Sequence, residues 1–96
     1  MNPTLYNWFF VNFVDNHVDN PETFKGSLYI IGQVQNDPRG REDGRWVRTS
    51  KVQSFNTEIV QTLHTLYNLD RPATPEVISK VYSGEYGGDR GEDYDG

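Results

Sequence analysis

Apolar side chains recur at every second position through several stretches of this chain, the period of extended backbone, and at helical spacing near its C-terminal end. Leu5 to Val14 (LYNWFFVNFV) is dense in aromatic and β-branched residues, which suit a pleated surface. Read as a strand, it sets Leu5, Phe9, Val11 and Phe13 on one face and Tyr6, Trp8, Phe10 and Val14 on the other. Both faces are apolar, so the segment is expected to be a central strand or to bury its second face against a partner subunit. Phe9, Phe10 and Phe13 also fit a helix, but Asn7, Asn12 and the crowding of rings disfavour one.

Asp15 to Gly26 (DNHVDNPETFKG) is rich in Asn, Asp, Pro and Gly and reads as a loop. Ser27 to Gln35 (SLYIIGQVQ) reads as a second strand, with Leu28, Ile30 and Val34 on one face and Tyr29 and Ile31 on the other. Gly32 inside it signals a bulge or a close backbone approach. Asp37-Pro38 and Asp43-Gly44 then mark turns. Arg45 to Phe55 alternates as a third strand, Trp46, Arg48, Ser50 and Val52 against Val47, Thr49 and Lys51, and is expected to pair antiparallel with the second. Glu58 to Leu69 (EIVQTLHTLYNL) fits a helix capped by Asn56 or Thr57 as well as extended chain broken near His64, and periodicity leaves both open. Thr74-Pro75-Glu76 has the form of a helix start, a cap followed by proline. Val77, Ile78 and Val81 would dock a helix of about two turns before Gly84 ends it. The fold class expected is mainly β: a small antiparallel sheet or partly open barrel with one short C-terminal helix.

Composition narrows this picture. A chain of 96 residues holds one domain, and at this size only about 60% of the unfolded surface is buried. The apolar share of 34% is low, while aromatics reach 14%, so a few rings must dominate the core. Cysteine is absent, which removes disulfides and thiol chemistry. No apolar run approaches the roughly 20 residues of a bilayer span, and a basic leader is missing, so a cytoplasmic location in a bacterial host is expected. The net charge of −5 is uneven: residues 83–96 carry −4 and five of the nine glycines. That segment is read as a disordered acidic tail behind a compact domain of residues 1–82. Five of the nine Lys and Arg fall between Arg39 and Lys51, but Asp37, Glu42 and Asp43 dilute them. Tracking nucleic acid needs a field of one sign, so direct nucleic-acid binding is not expected, nor is membrane contact.

The run Gly32-x-Val34-x-x-Asp37-Pro38-Arg39, followed by Asp43-Gly44-x-x-Val47-x-Thr49-Ser50, resembles a group of small, uncharacterised bacterial and phage proteins. Those commonly pair G-x-V-x-x-H-P-R-F-x-D-G with V-x-T-S and a later V-x-T … Y-x-L, which Val60, Thr62, Tyr67 and Leu69 match. Trp8 and the Asn20-Pro21-Glu22 turn fall where such proteins often have a tryptophan and an Asn-Pro segment. The resemblance covers roughly residues 5–69 and implies a compact β-rich domain, tilting Glu58–Leu69 toward extended structure. It departs at Asp37, where the group has histidine, and at Gly40-Arg41-Glu42, so a role tied to that histidine does not carry over.

Candidate chemistry is sparse. His17 beside Asp15 and Asp19 offers oxygen and imidazole ligands, but at no recognisable metal spacing. No nucleophile elbow, Walker loop or zinc motif is present, and neither enzyme activity nor a cofactor is expected. Binding is the better expectation, because two-faced apolar strands in so short a chain threaten to leave surface uncovered. Tyr6, Trp8 and Phe10 are the candidate protein-interaction residues, and self-association into a dimer or larger assembly is the economical outcome. The function expected is a small non-enzymatic interaction protein, encoded by a phage or mobile element, that occupies a host protein such as a defence or CRISPR effector. The alternative is a binder of a small anionic ligand, such as a nucleotide signal, held by Arg39, Arg41, Arg45 and Arg48 with the indole of Trp46.

Overall fold

The first strand runs as its composition demands, but it does not run straight. In the computed structural model, which describes residues 2–85, β1 (Thr4–Val11) takes a positive φ of 51° at Asn7. Its antiparallel pairing with β2 (Tyr29–Gln35) shifts register between Tyr6 and Phe9. One extra residue in β1 reverses the alternation beyond it. Leu5, Trp8 and Phe10 therefore share one side, while Phe9 and Val11 turn to the other. The strict two-residue reading, which put Leu5 with Phe9 and Val11, is corrected by this bulge. Gly32 lies against it: a Cβ there would stand 3.0 Å from the Trp8 Cβ, the close approach that the glycine signalled. Phe13 and Val14 join neither face. They lie in a turn outside the sheet, where Asn12 Oδ1 accepts hydrogen bonds from the Val14 and Asn16 amides, each 3.0 Å.

The expected third strand is two strands. β3 (Trp46–Arg48) pairs antiparallel with β2, as anticipated, and β4 (Val52–Phe55) pairs with β5 (Ile59–Thr62). The ambiguous stretch after residue 58 is a hairpin of β5 and β6 (Leu66–Leu69). β6 lies parallel to β1, Leu69 opposite Leu5, so the sheet is mixed rather than wholly antiparallel. Its order is β3-β2-β1-β6-β5-β4, which sets the consecutive strands β3 and β4 on opposite edges. Six flat strands would separate those edges by about 24 Å. The link from Arg48 to Val52 reaches at most about 14 Å. The sheet must curl, although it does not close. Along the link, the Thr49 amide donates to the Ile30 carbonyl (2.9 Å) and the Val52 amide to that of Leu28 (2.8 Å).

Every strand sends apolar side chains into the main core cluster, among them Leu5, Phe10, Ile30, Val34, Val47, Val52, Val60 and Tyr67. Val52 thus leaves the face of Trp46, on which simple alternation had placed it. The second cluster is roofed by α1 (Pro75–Tyr82), which packs Val81, Val77 and Ile78 toward Phe9, Val11, Ile31 and Trp46. The second face of β1 is therefore covered by the chain's own helix and needs no partner subunit to bury Phe9 and Val11. The helix begins where the sequence signals it, Thr74 accepting a hydrogen bond from the Val77 amide (3.2 Å) with Pro75 first in the helix. No helix among the described residues is long and apolar enough to cross a membrane. Of the disordered acidic tail expected over residues 83–96, residues 86–96 lie outside the described residues.

Candidate functional site

The arginine loop between β2 and β3 is organised around a carboxylate of its own. The side chain of Asp37 has no exposed surface. It ion-pairs with Arg41 Nε and Arg39 Nε, and its Oδ1 accepts the Arg39 amide at 2.9 Å. Both guanidinium groups also reach the hydroxyl of the buried Tyr67, Arg41 Nη2 at 3.2 Å and Arg39 Nη2 at 3.5 Å. Burial pushes the Asp37 carboxyl up. The Arg41 hydrogen bond, the Arg39 amide and the two guanidinium charges outweigh it and hold the group below the ordinary aspartate value.

Two residues expected in an anion site here stand elsewhere. Trp46 is buried in the cluster under α1. Arg48, 4% exposed, ion-pairs with Asp15, donates to the Phe13 carbonyl (3.2 Å) and lies over the Tyr29 ring at 4.2 Å. The hollow that residues 39–45 do line, about 610 Å³, includes Glu42 and Asp43 beside Arg45. Two of the four arginines read as ligand-holding thus hold Asp37, and a third holds Asp15. The latter pairing also takes Asp15 away from His17, whose Nδ1 lies 3.3 Å from Asp19 Oδ1. Among the described residues, no group of three or more His, Asp or Glu side chains is placed to hold a metal ion.

Of the expected interaction residues, the structure brings Trp8 and Phe10 together and leaves Tyr6 apart, under the Arg71 guanidinium at 5.5 Å. Trp8 and Phe10 form the back of a groove of about 860 Å³. Phe10 is only 5% exposed, so it serves as floor rather than as a projecting anchor. Its ring meets Trp8 edge-on at 5.8 Å and Phe55 at 4.8 Å. The Trp8 indole is fixed, its Nε1–H donating to the Asp70 carbonyl at 2.8 Å. One wall is Pro72, Ala73 and Ile78 at the start of α1, held by the parallel register that sets Trp8 opposite Pro72 and bonds the Ala73 amide to the Trp8 carbonyl (2.8 Å). The other walls are Val18, Asp19, Pro21 and Glu22, and the end of β4 with the turn after it, Phe55 to Thr57. Its titratable lining groups are Asp19, Glu22 and His17, and it is lined by no Lys or Arg among the described residues.

Sequence reading missed this groove because its walls come from three distant segments; only the aromatic density of β1 hinted at it. It also missed the Asn12–Asn16 turn, which presents Phe13 and Val14 at 73% and 68% exposure. Three ties fix that turn: the Asn12 side chain, Arg48, and the Tyr82 hydroxyl, which donates to the Asp15 carbonyl. Comparison with known family models, curated proteins and solved structures finds no match to this chain.

Proposed function

We propose that this chain is a small non-enzymatic interaction module that holds a segment of another protein in the groove over Trp8 and Phe10. One observation carries the reading: a rigid concavity floored by aromatic rings and walled by Pro72 and Ile78, which the chain's own described residues leave uncovered. Concave apolar surface with fixed rings favours binding, because the ordering cost is already met in the free protein. The resemblance to small phage proteins supports a host protein as the target, of the kind a defence inhibitor occupies. A nucleotide-sized anion finds less support, since Arg39, Arg41 and Arg48 already face internal carboxylates.

The test uses Thr57, an exposed lining residue whose replacement leaves the core untouched. The full chain and its Thr57→Trp variant are immobilised and exposed to bacterial lysate. Retention of one protein at fixed stoichiometry by the parent, reduced at least about tenfold by the bulky indole, is the expected result. Equal retention by both, or no stoichiometric partner, overturns the reading.

A further inference from the structure

We infer that the occupant of the groove is an extended protein segment whose apolar residues are flanked by Lys or Arg, the cation lying against the Trp8 indole within reach of Asp19 and Glu22. This rests on the groove being a docking site and adds the chemistry of what docks. The floor selects apolar side chains through Phe10 and Phe55, while the rim adds two carboxylates. Asp19 lies 3.3 Å from His17 Nδ1 with its side chain 88% exposed, and Glu22 is exposed as well, so both rim carboxylates stand open to solvent. An indole face beside carboxylates is a favourable seat for an ammonium or guanidinium group. Trp8 Nε1–H is already bound to the Asp70 carbonyl, so the ring has no hydrogen bond left to offer an occupant. That weighs against a polyproline ligand, which such grooves hold partly through ring N–H donors.

Charge also sorts the other occupants. The segment 86–96 carries Asp89, Glu92, Asp93 and Asp95 against Arg90 and would meet the rim as like charge. A second copy offers its apolar Phe13–Val14 turn, but that turn is followed closely by Asp19 and belongs to a chain of charge −5. Anionic lipid and free phosphate are repelled in the same way. A cationic apolar segment is the occupant whose charge complements the site.

The experiment titrates the full chain with fluorescein-labelled ten-residue peptides of Leu, Val and Phe carrying two Lys, two Gln or two Glu, read by anisotropy. The Lys peptide is expected to bind at least about tenfold tighter than the Glu peptide, and to weaken as salt is raised. Asp19→Asn with Glu22→Gln should reduce Lys-peptide binding about three- to tenfold and so narrow its advantage over the Gln peptide. Thr57→Trp should abolish both. Equal binding of the Lys and Gln peptides, indifference to the double substitution, or no binding by any peptide overturns the inference. A concentration-dependent rise in particle mass that Thr57→Trp removes would also overturn it, by placing a second copy in the groove. The broader interaction reading falls on lysate capture instead, if Thr57→Trp retains as much as the parent or if no stoichiometric partner is retained, so the two failures are distinct.

Discussion

Asp37 shows how one side chain can decide the character of a loop. A carboxylate without exposed surface is stable only if its charge is answered, and Arg39 and Arg41 answer it while also reaching Tyr67. Because its pKa is lowered in the folded chain, the unfolded state binds the proton more readily. Its stabilising contribution is therefore complete above the ordinary aspartate value and is lost as pH falls through the lower folded value. Asp37→Asn leaves two guanidinium groups facing a neutral amide and should cost about 3 kcal/mol. Urea midpoints followed from neutral into acid should show that loss at neutral pH, and a shallower acid decline than the parent. Of this cluster the sequence revealed the mixture of charges but not the partners. Five bases near three acids favour salt bridging within the loop over an external anion site, but the pairs themselves depend on which carboxylate the turn buries.

Single elements differ in how openly they announce themselves. α1 is legible because its signals are local: Thr74 as cap, Pro75 at the first position, apolar residues at helical spacing and Gly84 after the end. Thr74→Ala removes the acceptor of the Val77 amide and should cost about 1 kcal/mol, lowering Tm by roughly 5 °C. Thermal unfolding by circular dichroism checks this. β1 is legible as a strand but not in its facing, since Asn7 carries no local mark of the bulge that reverses it. The break between β3 and β4 falls at Thr49-Ser50-Lys51, without glycine or proline, and is set by carbonyls of the distant residues Leu28 and Ile30. The β5–β6 turn likewise lacks the usual turn residues. It is closed by the Thr62 hydroxyl, which donates to the Thr65 carbonyl and accepts the Thr65 amide.

For the whole molecule, the governing constraint is the short connection across the two sheet edges. It forces the curl that encloses Tyr67, Val60 and Val47 together, and so creates the larger core. The groove depends on the same architecture: parallel pairing of β1 with β6 carries Pro72 and Ala73 alongside Trp8, while the hairpin after β4 brings Phe55. Aromatic density at Trp8 and Phe10 was readable in advance, but this convergence was not, because parallel pairing joins segments some sixty positions apart. Inserting Gly-Ser-Gly-Ser after Ser50 should destabilise the fold by well over the ~0.6 kcal/mol that doubling a free loop costs. The same insertion after the exposed Lys25 should cost about that small amount. Urea unfolding of the two variants compares them directly.

The short connection has one more consequence, for association by strand addition. An open sheet offers rows of unsatisfied amides and carbonyls along its margins, the templates on which cross-β fibrils grow. Here one margin is the three-residue β3 and the other the four-residue β4, joined end to end by residues 49–51. An incoming strand would gain few bonds before meeting that join, so the fold limits fibril nucleation by brevity of its borders rather than by charge.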